Sequence, residues 1–176
     1  MDLIEAQYDK TGRHGWDGAD YKEWYQAYMD YIKTKGLGKY YPSLGKLINS
    51  MGNIMYYEHG RLVENVRIAD GADINVLNGY EDMKFDNMSG VVDVFRNLKG
   101  DPELIRQYMA PLFVAVKARE KIGQTGDTNL FDLFVINEHA VPTGNYNVSA
   151  KVQCPDGKIK EVYTGKVRVS GGDKFS

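Results

Sequence analysis

Ala72-Asp73-Ile74-Asn75-Val76-Leu77, followed at once by Asn78-Gly79-Tyr80-Glu81-Asp82, is the stretch on which the fold reading turns. The six residues are short, mostly apolar and closed by an Asn-Gly turn signal, which predicts a buried strand. Upstream, Leu44, Leu47, Ile48, Met51, Ile54, Met55, Leu62, Val66 and Ile68 recur at helical spacing from Ser43 to about residue 69, with Gly52 and Gly60 as places where that helix bends or splits. A helix running straight into a buried strand is an α/β unit, so the first part of the chain reads as helices around short strands.

Working outward, Tyr21, Trp24, Tyr25, Tyr28, Met29 and Ile32 predict an earlier helix over 20–33, with Asp20 as its cap and Gly36 past its end. The thirteen tyrosines of the chain, many of them here, are expected mostly in core and rim packing. Residues 3–6 form a second short apolar run that fits an opening strand. Asp101-Pro102-Glu103 starts a short helix ending near Met109, with a capping Asp and Pro at its first position.

Beyond residue 110 the period becomes two. Phe131 to Ile136 is apolar on both faces and predicts a central strand. In 145–152, Tyr146, Val148, Ala150 and Val152 alternate with polar residues, so that strand has one face in solvent. Pro155-Asp156-Gly157 turns into further strands over 158–164 and 166–170. The expected fold class is α+β, with 1–110 helical around short parallel strands and 111–176 an antiparallel sandwich.

Bulk properties narrow the function classes. A chain of 176 residues with 43% apolar content can bury a core, and 22 basic against 24 acidic residues give a net charge of -2. That balance speaks against nucleic acid and against an anionic membrane as partners. The single Cys154 excludes an internal disulfide and a cysteine-based zinc site. No apolar run has the length of a membrane span, and Met1-Asp2-Leu3-Ile4-Glu5 is not a signal peptide, so the chain as given is expected to be soluble, with any export signal upstream. The compartment is left open; a secreted or periplasmic longer protein fits. Asn87-Met88-Ser89 and Asn147-Val148-Ser149 are glycosylation acceptor patterns that matter only in a eukaryotic secretory route.

Three blocks, taken together, carry a resemblance: Asn78-Gly79-Tyr80-Glu81-Asp82; then Ser89-Gly90-Val91-Val92-Asp93-Val94-Phe95-Arg96-Asn97 with Lys99-Gly100-Asp101-Pro102; then Pro111-Leu112-Phe113-Val114-Ala115-Val116-Lys117. Their order and spacing resemble family 2 glycoside hydrolases from about residue 20 onward. In that family the eighth strand of a (β/α)8 barrel ends in a sugar-facing aromatic, a Gly-Val/Leu-Val-Asp segment follows, and a short helix hands over to an immunoglobulin-like β-sandwich. The resemblance implies that 1–110 is the carboxyl-terminal part of a TIM-barrel catalytic domain and 111–176 the start of the sandwich. A whole barrel needs roughly 250 residues and a whole sandwich about 100, so both units are expected to be incomplete.

By that resemblance 72–77 is the eighth barrel strand, and Tyr80 and Glu81 stand at its carboxyl end, where barrel active sites are built. The family commonly has Trp where this chain has Tyr80. Residues 3–6 fall on the seventh strand, which makes Glu5 the nucleophile of a retaining β-glycosidase acting on plant or microbial polysaccharide. The partner acid/base glutamate of the family lies on a fourth strand that this chain lacks, although retention needs two carboxylates about 5 to 5.5 Å apart. His14 and Trp16, in the loop after residues 3–6, are expected to line a sugar subsite.

The residues themselves leave quieter alternatives open. Glu5 also reads as a surface or capping carboxylate, Glu81 with Asp82 as a solvated acidic turn, and the loop with His14 and Trp16 as structural. His59 and His139 have no ligand-like neighbours, so neither a metal nor a cofactor is expected. A second function class is a non-catalytic carbohydrate-binding or accessory module; a third is a purely structural piece. Exposed edges of two incomplete units predict a homo-oligomer.

Overall fold

The computed structural model of the chain describes residues 10, 18–72, 74–81 and 90–170. It is α+β, with helices first and two small antiparallel two-stranded sheets after them. No closed barrel occurs among the described residues. The chain divides into two compact units, 1–59 with 76–105, and 60–75 with 106–176.

In the first unit, helix α1 spans Gly18–Thr34 and carries Asp20 in its first turn. It stops where expected. Gly36 adopts a left-handed φ of 63° that an L side chain resists, and its N–H returns to the carbonyl oxygen of Lys33 at 3.1 Å. Ile32 is buried, whereas Trp24, Tyr25 and Tyr31 remain exposed. Of the tyrosines expected in core and rim packing, Tyr56 and Tyr108 are buried, while Tyr25, Tyr31, Tyr40, Tyr57, Tyr80 and Tyr163 are exposed.

Helix α2, Leu44–Ala69, is one uninterrupted element. Ser43 caps it through Oγ, which accepts from the Lys46 N–H at 3.3 Å. Gly52 and Gly60 do not split it; they are sites of close approach. A Cβ on Gly52 would lie 1.8 Å from the Lys99 carbonyl oxygen in the first unit, and one on Gly60 would lie 2.1 Å from Cδ2 of Tyr108 in the second. Asp70, with φ of 47°, turns the chain out of the helix.

The predicted strand at 72–77 is not formed. Its described residues belong to no ladder, and Ile74 and Val76 are 77% and 76% exposed. The apolar pattern is genuine, but a strand exists only when a neighbour accepts its backbone hydrogen bonds, and no described segment does so here. The other predicted barrel-type strand, 3–6, lies outside the described residues.

In the second unit, Glu103–Arg106 belongs to the one-turn helix α3 with its first residues in the other unit, followed by a 3-10 turn at Gln107–Met109. Strand β1, Leu112–Ala118, pairs antiparallel with β2, Phe131–Asn137, from Leu112↔Asn137 to Ala118↔Phe131. Strand β3, Gly144–Gln153, pairs with β4, Ile159–Val169, with a register shift at Ala150/Lys151. Two expectations change. β2 has β1 as its one partner among the described residues, so it is not central, and the two strands foreseen over 158–170 are a single β4 that passes through Gly165. The Pro155-Asp156-Gly157 turn forms as expected, with Gly157 at φ 82° and Cys154 N–H bonded to the Lys158 carbonyl at 2.8 Å.

Among the described residues, the interior of this unit holds one buried charged residue. Glu64 is buried and ion-paired with Arg61 at 2.7 Å and with Lys117 of β1, whose ammonium also donates to Asn65 at 2.7 Å. Arg67 donates to the carbonyl oxygens of Tyr108 and Ala110 and to Glu138 at 3.0 Å, while its guanidinium lies 5.6 Å from the centre of the Phe113 ring. The end of α2 is thereby fixed to the strand entry by charge-assisted bonds rather than by apolar contact alone.

Candidate functional site

The site candidates that the structure describes lie on 78–101, within the first unit. Gly79 at φ 79° bends the chain, and the next residue, Tyr80, leaves its ring 67% exposed. Its backbone is nonetheless held: the Tyr80 carbonyl accepts from Val92 N–H at 3.0 Å, and Glu81 forms an isolated parallel bridge with Val92. Val92 is itself buried and bridges antiparallel to Leu98, so one residue joins the Tyr80 segment to both arms of a tight loop.

Asp93 closes that loop from within. Its Oδ1 accepts from the backbone N–H groups of Phe95 and Asn97, each at 2.8 Å, and Oδ2 accepts from the Asn97 side-chain amide at 3.1 Å. The backbone completes the closure, with Asp93 N–H to the Asn97 carbonyl at 2.9 Å and Arg96 N–H to the Asp93 carbonyl at 2.8 Å. An aspartate that satisfies backbone donors two and four residues on is the side-chain mimic of a turn. At the tip, Arg96 takes a left-handed φ of 65°. Its Nε donates to Glu81 Oε2 at 3.1 Å, and the side chains of Arg96 and Glu81 are 75% and 36% exposed.

Helix α2 supports this loop from below. The fully buried Tyr56 donates its hydroxyl hydrogen to the Val91 carbonyl and accepts from Lys99 N–H at 3.1 Å, so one side chain holds both flanks. Three residues earlier, Asn53 Oδ1 accepts from Asp101 N–H at 2.7 Å. The missing side chain of Gly52 lets the Lys99 backbone settle against the helix, and Gly100 is equally close to Asn53. Asp101 in turn caps α3, its Oδ1 accepting from Glu103 N–H at 3.0 Å.

Of the site residues expected from sequence, Tyr80 and Glu81 fall on this loop, while Glu5, His14 and Trp16 lie outside the described residues. Glu81 pairs with Arg96 at the surface, and Asp82 lies outside the described residues. Arg96 was missed. Its signal was present in Asp93-Val94-Phe95-Arg96-Asn97, where Asp and Asn bracket a five-residue turn and leave the arginine at the tip. Among the described residues no group of three or more His, Cys, Asp or Glu side chains is placed to hold a metal ion, and no helix is long and apolar enough to cross a membrane.

What the loop offers chemically is an exposed aromatic ring next in sequence to a carboxylate that is tied to a guanidinium. It presents a hydrogen-bond acceptor and several donors beside an apolar face. No family profile, no curated protein and no solved structure matches the chain.

Proposed function

We propose that this chain is a carbohydrate-handling part of a retaining β-glycosidase similar to the family 2 glycoside hydrolases, in which the loop carrying Tyr80 and Glu81 faces the sugar. The observation that carries the reading is Tyr80, a large ring left in solvent on a backbone fixed by Val92. Aromatic faces pack against the C–H side of a pyranose, and adjoining charged groups bond its hydroxyls. Support also comes from the order of the described elements: a long helix, the aromatic bend, a closed loop, a capped short helix, then antiparallel sheets. On this reading the two sheets belong to an immunoglobulin-like sandwich, 72–77 pairs only when flanked by other barrel strands, and Glu5 is the nucleophile. The single-partner hairpins favour association with a second copy.

A non-catalytic glycan-binding module is the second reading, favoured by the fact that the described loop needs no partner carboxylate to hold a sugar. Calorimetry with xylo-, galacto- and manno-oligosaccharides, run beside an assay for released reducing ends, tests both. Binding that disappears in Tyr80→Ala is the expected result. Binding without release selects the module, and a chain that gives no heat with any of these glycans overturns both readings.

A further inference from the structure

Arg96 stands at a backbone position where most side chains are disfavoured. At φ 65° a glycine would sit without strain, and turns that need this conformation usually take Gly or Asn. The loop is held in that shape by Asp93 and Asn97, not by the arginine, because every bond that closes it is made by those two side chains or by backbone. Arg96 therefore adds nothing to the closure that glycine would not allow. It adds a guanidinium, three-quarters exposed, with Nε committed to Glu81 and no acceptor for its two terminal nitrogens among the described residues. A local preference overridden with one exposed ion pair as its only structural return is the pattern expected at a functional position.

We infer that Arg96 and Glu81 act as one reader of a vicinal diol on a neutral sugar, an inference that rests on the sugar-facing reading of this loop. A hydroxyl both donates and accepts, so of two neighbouring hydroxyls one donates to the Glu81 carboxylate while the other accepts from the Arg96 terminal N–H groups. The pairing also selects against acidic sugars: Glu81 offsets the arginine charge, and a sugar carboxylate would meet a like charge beside its donor. Arg96 is thus a specificity-determining residue, and the ligand class is a neutral hexose or pentose unit with adjacent free hydroxyls.

The test is calorimetry on the full chain with the same xylo-, galacto- and manno-oligosaccharides, and with a galacturonan oligosaccharide as the acidic probe, comparing wild type, Tyr80→Ala, Glu81→Gln and Arg96→Gly. Arg96→Gly is expected to fold with an unchanged or raised melting temperature, since glycine accepts the left-handed backbone, yet to lose about tenfold or more in affinity for the neutral glycan, as befits a lost charge-assisted bond. Glu81→Gln should weaken the neutral glycan and improve the acidic one. If Tyr80→Ala abolishes binding but Arg96→Gly binds like wild type, the diol reader is wrong and the sugar-facing loop stands. If wild type prefers the acidic glycan, the inference is likewise wrong. If wild type binds none, the functional reading falls and this inference with it. An Arg96→Gly chain that fails to fold would contradict the premise that the arginine is structurally dispensable.

Discussion

Tyr56 and Val91 are joined by a hydrogen bond from a fully buried phenol to a backbone carbonyl, across 35 positions of sequence. The same oxygen accepts from Lys99 N–H, so the flanks of the Arg96 loop converge on one atom of α2. Removing that oxygen in Tyr56→Phe takes the phenol's bonds away from a part-buried carbonyl and a part-buried N–H. The expected loss is about 1–3 kcal/mol, read from the urea midpoint. An unchanged midpoint would mean that the loop stands without the helix.

The two glycines inside α2 should behave against helix propensity. Replacing an exposed helical glycine by alanine ordinarily gains about 1 kcal/mol. Here Gly52→Ala and Gly60→Ala are both expected to destabilise, by about 1–3 kcal/mol or more, because the new methyl group meets Lys99 backbone or the buried Tyr108 ring. Gly52→Ala should be the worse of the two, as a carbonyl cannot rotate away. Thermal melts of both variants decide it, and a gain at either position would refute the close approach.

Lys117→Met removes one of the two cations facing buried Glu64 and leaves Arg61 alone to compensate it. A cost of about 1–3 kcal/mol is expected, below that of an entirely unpaired buried charge because one partner survives. The double variant Lys117→Met with Glu64→Leu should recover most of the loss, since apolar residues of similar volume replace such clusters well. Failure of that rescue in chemical denaturation would assign the cluster a role beyond charge compensation.

The pH response of the β1–β2 hairpin has a defined sign. The Arg119 side-chain hydrogen bonds hold the Asp132 carboxyl below its ordinary value of 3.8, with desolvation opposing that effect and the arginine charge adding to it. Because the folded value is depressed, the stabilisation is present above the ordinary carboxylate range and is lost as pH falls through the lower folded value. The pair is exposed, so the effect should be small and should shrink in high salt. Carbon-detected NMR titration of the Asp132 carboxyl should show the downward shift in wild type and its disappearance in Arg119→Gln; the same midpoint in both would exclude the pairing as its cause.

Legibility in the sequence varied with how local the cause was. Gly36 and the Pro155-Asp156-Gly157 turn formed where they were expected, because the preference for a left-handed φ or a turn resides in those residues themselves. The cap at Asp101 was equally local. The run 72–77 was not legible: its apolar pattern is that of a strand, but pairing depends on what lies beside it, and that information is not in the six residues. Gly52 and Gly60 were misjudged for the same reason, since a helix breaker and a packing contact look identical until the neighbour is known. In the site, Tyr80 and Glu81 came from a resemblance, whereas Arg96 became visible only when Asp93 and Asn97 were seen to close the turn without it.

The β3–β4 hairpin carries a colloidal consequence. β4 runs for eleven residues and leaves one edge without a described partner, yet Lys160, Lys166 and Arg168 punctuate it. These cations are gatekeepers in the sense that a strand from another molecule aligning on that edge would set like charges opposite one another. Replacing Lys160 and Lys166 by threonine, which removes the edge cations without the large negative charge that wholesale lysine neutralisation would add, should therefore turn preparations turbid and fibrillar while the native polypeptide stays clear.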